Sequence, residues 1–187
     1  MLEKIEKYAK EHNIPIMEKS GIKFLTEYIK KNKIKSILEI GSAVGYSALS
    51  MALVSKDIKI ITIERDENRY LKALENTCKF ADQITIINDD AFNVELKEKF
   101  DLIFIDAAKS QSIKFFEKFK NNLNKNGTII TDNIYFHGLT YSNEIQSKNL
   151  RQMTKKIRDY VDFLKNNSEF KTEILNIGDG LAISKRG

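Results

Sequence analysis

The chain has no tryptophan, one cysteine, one proline and two histidines among its 187 residues. Each scarcity excludes something. A lone thiol, Cys78, cannot close an intrachain disulfide, which fits a reducing cytoplasm. Two histidines and one cysteine cannot supply the spaced nitrogen and sulfur ligands of a zinc site. No apolar run reaches the roughly 20 residues that span a bilayer, so no membrane partner is expected. The opening Met-Leu-Glu-Lys-Ile-Glu-Lys carries acids and lacks the apolar stretch of a signal peptide. What remains is 42% hydrophobic and 30% charged, a composition that suits one globular domain over residues 1–187. A net charge of +5 would assist binding to a polyanion such as RNA, although a Lys-, Asn- and Ile-rich composition produces the same excess.

The run at 37–52, Ile-Leu-Glu-Ile-Gly-Ser-Ala-Val-Gly-Tyr-Ser-Ala-Leu-Ser-Met-Ala, is the most informative. It reads as a buried strand, a glycine turn and an apolar helix, which together make a nucleotide-sized crevice at the strand's carboxyl end. A dinucleotide fold would read G-x-G-x-x-G. Here the pattern is Glu39-x-Gly41-x-x-x-Gly45, with Ala43 where the second glycine would admit a pyrophosphate. Glu39 opposes a phosphate further, since a carboxylate about 5 Å from one costs roughly 3 kcal/mol at an effective dielectric near 20. A cationic ligand reverses that sign. S-adenosylmethionine carries a sulfonium and an ammonium and no phosphate, so the loop favours it over NAD.

Residues 2–12 and 17–31 read as two N-terminal helices, separated at Pro15, with Ile22, Leu25, Tyr28 and Ile29 on one face of the second. From residue 32 the chain alternates. Strands are expected at 36–40, 58–64, 84–88, 102–106 and 128–131, and helices at 45–54, 66–80, 91–96 and 110–124. Near-continuous apolar strands between helices imply a parallel sheet covered on both faces. A long helix at 144–166 follows. Strands at 170–177 and 181–185 then flank the turn Gly178-Asp179-Gly180, a hairpin that makes the sheet's far edge antiparallel.

In such a sheet, ligand groups gather at the carboxyl ends of the strands. Those ends carry Glu39, Glu64, Asp89-Asp90-Ala91-Phe92, Asp106-Ala-Ala-Lys109 and Asp132-Asn133. An acid at the second strand end can take both hydroxyls of a ribose, and the third end is placed for an adenine. Each acid could instead cap a helix, but five strand ends in one chain strain that explanation. Phe92 could stack on that adenine, although its hydrophobicity favours a role in the apolar core. Asp106, Asp132 and Asn133 offer three hard oxygen ligands on neighbouring strands, a set suited to Mg²⁺. Lys109, three residues past Asp106, shares its face if a helix starts here. An amine near a divalent cation and a sulfonium should have a depressed pKa and could take a proton from a substrate hydroxyl.

Taken together, Leu38-Glu39-Ile40-Gly41-x-x-x-Gly45-Tyr46-Ser47, Ile63-Glu64, Asp106-x-x-Lys109 and Asp132-Asn133 resemble the metal-dependent O-methyltransferases of the catechol and caffeoyl-CoA type. The chain is most similar, within that group, to bacterial tRNA 5-hydroxyuridine methyltransferases. That likeness rests on Ile14-Pro-Ile-Met17-Glu-Lys19, Asp106-Ala-Ala-Lys109-Ser-Gln111, Ile130-Thr-Asp132-Asn133-Ile-Tyr-Phe-His-Gly138 and Gly178-Asp-Gly-Leu-Ala-Ile-Ser-Lys185. The resemblance implies a Rossmann-like, doubly wound, mostly parallel seven-stranded α/β sheet with an antiparallel C-terminal edge hairpin. It implies S-adenosylmethionine contacts at Met17, Ser47, Glu64, Asp90, Ala91 and Asp106, beside the Glu39 and Gly41 of the loop. It implies Mg²⁺ on Asp106, Asp132 and Asn133, catalysis by Lys109 and Asp106, a tRNA wobble 5-hydroxyuridine substrate and a homodimer. Two departures count against a catechol. Such enzymes gate the ring with tryptophans and carry a glutamate directly after Asp-Gly-Leu, where this chain has Ala182. The chain also begins later than such bacterial relatives usually do, in the region that would help dimerisation or RNA contact.

On the predicted long helix, Lys148, Arg151, Lys155 and Arg158 fall within about 80° of one another, opposite Leu150, Met153, Ile157, Val161 and Leu164. The basic stripe could track phosphate, and an ordinary solvated face explains it equally well. His137 follows the metal ligands and could touch substrate or simply occupy a loop. The rival functions are a small-molecule catechol-like O-methyltransferase, an NAD(P) oxidoreductase and a non-catalytic RNA-binding protein.

Overall fold

In a computed structural model of the chain, residues 1–135, 138–141 and 147–187 are described. His137 and the predicted helix start at 144–146 lie outside the described residues. Seven strands, β1 (Ser36–Ile40), β2 (Lys59–Glu64), β3 (Ile84–Asn88), β4 (Phe100–Ile105), β5 (Leu123–Thr131), β6 (Phe170–Leu175) and β7 (Leu181–Arg186), form one sheet. Its order is β3-β2-β1-β4-β5-β7-β6. The first five strands are parallel, and β7 pairs antiparallel with both β5 and β6.

Strand alternation sorts the core into two layers. Ile37, Leu102, Phe104, Ile130 and Ile183 pack on one face, against α1 (Leu2–Glu11), α2 (Lys19–Lys31) and α3 (Tyr46–Ala52). Leu38, Ile40, Ile103, Ile105 and Ile129 pack on the other, against α5 (Ser112–Phe119) and α6 (Lys148–Lys165). Each helix is held by a narrow apolar stripe, such as Ile5 and Ala9 on α1 and Ile22, Leu25 and Ile29 on α2. The remaining helix, α4 (Glu67–Thr77), is capped by Asp66, whose side chain accepts a 2.9 Å hydrogen bond from the Arg69 amide.

Three expectations need correction. Residues 91–96 do not form a helix. Asp90 accepts from the Phe92 amide through its side chain and from the Asn93 amide through its carbonyl, which closes a tight turn and spends the groups a helix would use. The helix expected at 110–124 is α5 alone, flanked by 3₁₀ turns at Lys109–Gln111 and Lys120–Asn122. β5 starts at Leu123, five residues earlier than expected, because its pairing with β4 is interrupted. Phe100 lies opposite Leu123 and Leu102 opposite Thr128, with a register shift between. Among the described residues, no helix is long and apolar enough to cross a membrane.

Candidate active site

A cavity of about 510 Å³ opens at the carboxyl ends of the parallel strands. Its wall includes Met17, Gly41, Ser47, Glu64, Asp90, Ala91, Asp106, Lys109, Asp132 and Asn133. These residues come from positions 17 to 133 and converge only because the crossover order places their strand ends side by side.

At one end, the loop after β1 turns sharply. Gly41 has φ +97°, and a Cβ there would lie 2.3 Å from the Asp106 carbonyl oxygen, so only glycine permits this approach of the β1 and β4 ends. Ala43 also adopts a left-handed conformation, φ +44°, and its amide donates to Glu64 Oε2 at 2.8 Å. Glu64 Oε1 accepts from the Asp66 amide at 2.9 Å. The loop amide that could have met a pyrophosphate is thereby committed to a carboxylate, and that carboxylate lines the cavity. Both facts disfavour a phosphate here. Met17 reaches the wall by packing its thioether over Gly21 of α2, where a Cβ would come within 2.8 Å of its methyl.

Beside this loop, the ends of β4 and β5 hold Asp106, Lys109, Asp132 and Asn133. Lys109 Nζ donates to Asp106 Oδ1 at 2.8 Å across a 3₁₀ turn rather than a helix start. Asp132 is buried, and its Oδ1 accepts from the Asn133 amide at 2.8 Å. Burial and the neighbouring Asp106 push its carboxyl up to about 7. Asn133 has φ +62°, and its amide nitrogen donates to Asp179 Oδ2 at 3.3 Å, which leaves its carbonyl oxygen as the atom able to ligate. Among the described residues no group of three or more His, Cys, Asp or Glu side chains converges as a metal cluster. The trio expected from the sequence holds two carboxylates and an amide.

Glu39 is the expected contact that the cavity does not include. It is fully buried and lies behind the wall, with Oε1 2.5 Å from Ser47 Oγ and Oε2 2.5 Å from Thr62 Oγ1. The reason is strand alternation: Glu39 shares the face of Ile37, beneath α3, and cannot also point along the strand into the crevice. Phe92 also differs from expectation. It is 37% exposed, lines the cavity and stacks on Phe115 with ring centroids 4.7 Å apart, rather than joining the core. On α6, Lys148, Arg151 and Lys155 are exposed, but Arg158 is turned inward to donate to the Thr140 carbonyl at 2.7 Å.

Other wall residues carried no clear signal in the sequence. Ser42 and Gln111 line the cavity, and among the described residues Ser42 Oγ and Gln111 Oε1 are buried without a hydrogen-bond partner. Asp179, in the β6–β7 turn, supports Asn133, and the backbone of that turn accepts from the amides of Ile134 and Tyr135.

A cavity built from strand-end acids, with a glycine loop and a lysine on its wall, is consistent with group transfer between two small ligands. The profile of the O-methyltransferase family matches residues 1–187. The chain belongs to this family. It is 27% identical over 177 residues to the caffeoyl-CoA O-methyltransferase of Populus kitakamiensis, covering 88% of this chain and 75% of that protein. It is 28% identical over 196 residues to tapetum-specific methyltransferase 1 of Arabidopsis thaliana, covering 97% and 82%. Among solved structures, a Staphylococcus aureus protein classed as a caffeoyl-CoA O-methyltransferase is 39% identical, with TM-score 0.93 over 100% of this chain and 92% of that one. The SAH-bound methyltransferase PaMTH1 of Podospora anserina is 25% identical, with TM-score 0.80 over 89% and 77%. The sheet described above is the Rossmann-like methyltransferase fold of this caffeoyl-CoA-type family.

Proposed function

We propose that this O-methyltransferase transfers the methyl group of S-adenosylmethionine to the 5-hydroxyl of 5-hydroxyuridine at the tRNA wobble position, giving 5-methoxyuridine. The observation that carries the reading is the single cavity that brings Ser47, Glu64, Asp90 and Ala91, for the methyl donor, together with Asp106, Lys109, Asp132 and Asn133, for the acceptor.

The cofactor fits these residues. The cavity volume is within the range of small-molecule sites. Glu64, held by two backbone amides, keeps lone pairs for ribose hydroxyls. Phe92 and Ala91 offer an apolar surface to an adenine. The oxygen set of Asp106, Asp132 and Asn133 fits Mg²⁺ in chemistry, being hard, two-thirds anionic and open on the cavity side.

S-adenosylmethionine supplies the electrophilic methyl group when bound. A divalent cation on the oxygen trio would lower the pKa of the acceptor hydroxyl. Lys109, once it has released one ammonium proton to solvent, takes the hydroxyl proton at Nζ, and Asp106 holds that amine in place through its 2.8 Å contact. Met17 and Pro15 line the cavity and would shield a bound donor from water. Transfer in one displacement then rests on positioning and on the fixed charges of the wall.

A 5-hydroxyuracil places its hydroxyl beside the C4 carbonyl, a two-oxygen pair like that of a catechol. The tRNA reading draws support from the motif resemblance, the absence of tryptophan, the net charge of +5 and the exposed Lys148, Arg151 and Lys155. A cytoplasmic homodimer belongs to the same reading. The second reading is a small phenolic substrate, and the names of the Populus and Staphylococcus relatives favour it. Mass spectrometry of wobble nucleosides from a deletion strain separates the two. Accumulated 5-hydroxyuridine with lost 5-methoxyuridine supports the tRNA substrate, and an unchanged nucleoside profile rules it out.

A further inference from the structure

We propose that Asp179 is a positioning residue that sets the orientation of the Asn133 side-chain amide. Because a carboxylate only accepts hydrogen bonds, it holds the amide nitrogen toward the β6–β7 turn and leaves the carbonyl oxygen to serve as a ligand for a divalent cation. The proposal rests on the reading of Asp106, Asp132 and Asn133 as a metal site and names what makes the third of them usable.

A side-chain amide is nearly symmetric in shape but not in chemistry. One end carries two donors, the other two lone pairs. A cation needs the oxygen, and the nitrogen end repels it. An aspartate faces no such choice, because its two ends are alike. An asparagine among metal ligands therefore depends on a neighbour that fixes its flip. Asn133 lines the cavity, whereas Asp179 does not. Asn133 Nδ2 donates to Asp179 Oδ2 at 3.3 Å. With the amide turned over, two acceptor oxygens would face each other, so the carboxylate admits one orientation only.

The same turn holds Asn133 from the backbone. Asn133 has φ +62°, a left-handed conformation that asparagine tolerates better than most residues. The two amides that follow it both bond to the turn: Ile134 to the Gly180 carbonyl at 3.0 Å and Tyr135 to the Asp179 carbonyl at 2.8 Å. A Cβ at Gly180 would lie 2.7 Å from the Tyr135 ring and 3.0 Å from its amide nitrogen, so glycine permits this approach. Main chain and side chain of Asn133 are thus fixed by one turn. A carboxylate is a costly choice for that turn if it served shape alone. Asp179 is buried, and its charge adds to the push on the Asp132 carboxyl. A neutral residue would avoid both costs.

Calorimetry with Mn²⁺ as the probe, arranged as a double-mutant cycle, tests this. Asp179→Asn can donate as well as accept, so it no longer selects one orientation. It is expected to weaken Mn²⁺ about tenfold, the scale on which the outer partner of a metal ligand acts. On the Asn133→Asp background both ends of the ligand are oxygens, and the same change at Asp179 should cost less than about twofold. S-adenosylhomocysteine binding should stay within about twofold of wild type in Asp179→Asn. A collapsed turn would not allow that, since Gly178 lies against Ser20 and Gly21 of α2, beside the Met17 of the cavity wall. Equal losses on the two backgrounds would mean that Asp179 acts through its charge or through the fold, and would overturn the proposal. So would an unchanged Mn²⁺ affinity in Asp179→Asn, or a loss of S-adenosylhomocysteine in step with Mn²⁺. If Asp179→Asn does not fold, Asp179→Ser, whose hydroxyl also donates and accepts, must show the same background-dependent loss, and an equal or absent loss overturns the proposal. A wild-type protein that binds S-adenosylhomocysteine but no Mn²⁺ would instead refute the metal reading itself, and the role of Asp179 with it.

Discussion

Lys109 Nζ lies 2.8 Å from Asp106 Oδ1, and the two side chains are only 14% and 20% exposed. Partial burial gives this pair more weight than a surface ion pair, whose contribution is usually below about 1 kcal/mol. The pair also opens onto the cavity, where the amine faces the place of a second guest and not bulk water. An ammonium needed only for stability would be served equally well by arginine, and that difference can be measured.

Lys109→Ala is expected to lower single-turnover methyl transfer by about 10²- to 10⁴-fold, the usual range for loss of a general base. Lys109→Arg should be nearly as poor, because a guanidinium keeps the ion pair and cannot accept a proton. Circular dichroism and the melting temperature should be close to wild type in both. Near-normal turnover by the arginine variant would mean that the lysine contributes charge rather than proton transfer.

Gly41→Ala should destabilise the protein by about 2–4 kcal/mol, on the scale of strain and overlap at a buried turn. The new methyl group would lie 2.3 Å from the Asp106 carbonyl oxygen and 3.0 Å from its carbon, and neither is a flexible side chain. Relief requires the β1 and β4 ends to separate, which also moves Asp106 and its partner Lys109. Urea unfolding should show the stability loss, and S-adenosylhomocysteine binding should fall with it. A variant with wild-type stability would show that the loop relaxes freely.

The parallel strands were legible because strands buried on both faces read as near-continuous apolar runs, as in Leu102 to Ile105. Ten wall residues were legible for a related reason: a doubly wound sheet sends its strand-end polar groups to one crevice. What failed depended on direction or distance. Glu39 is next but one to Gly41, but proximity in sequence did not decide its facing; the two-residue period of β1 did. Phe92 was read as core from its hydrophobicity, whereas the Asp90 turn carries it outward. Asp179 supports Asn133 from 46 residues away, across the edge hairpin, which no local motif can announce.

Asp132→Asn is expected to have opposite effects with and without a divalent cation. In the metal-free protein at pH 8, the buried carboxylate is ionised against its own burial and against Asp106. Replacing it with a neutral isostere should therefore stabilise the fold, on the order of 3 kcal/mol for a carboxyl raised this far. The Asn133 amide keeps its acceptor. Wild type should gain thermal stability when Mg²⁺ or Mn²⁺ is added, and the variant should not. A wild-type protein with no response to either ion, up to millimolar concentration, would remove the metal from the mechanism.

The pH dependence of stability isolates Glu39. Burial, opposed by its bonds to Ser47 and Thr62 and reinforced by Asp106 and Glu64, leaves its carboxyl at about 7. In the unfolded chain it titrates near 4.3. Between those values the folded protein holds a proton that the unfolded chain has lost. The contribution is therefore fully present below about pH 4 and declines as pH rises, by at most about 1.4 kcal/mol per unit, then levels off above 7. Urea unfolding of wild type and Glu39→Gln from pH 4.5 to 8.5 should show wild type falling behind by on the order of 3 kcal/mol across that window. Asp132 titrates in both proteins, so its effect cancels in the difference to first order. A difference that stays flat with pH would mean that Glu39 ionises as readily inside the protein as in water. The two hydroxyl protons would then be held by a carboxylate that solvent reaches, contrary to its complete burial beneath α3.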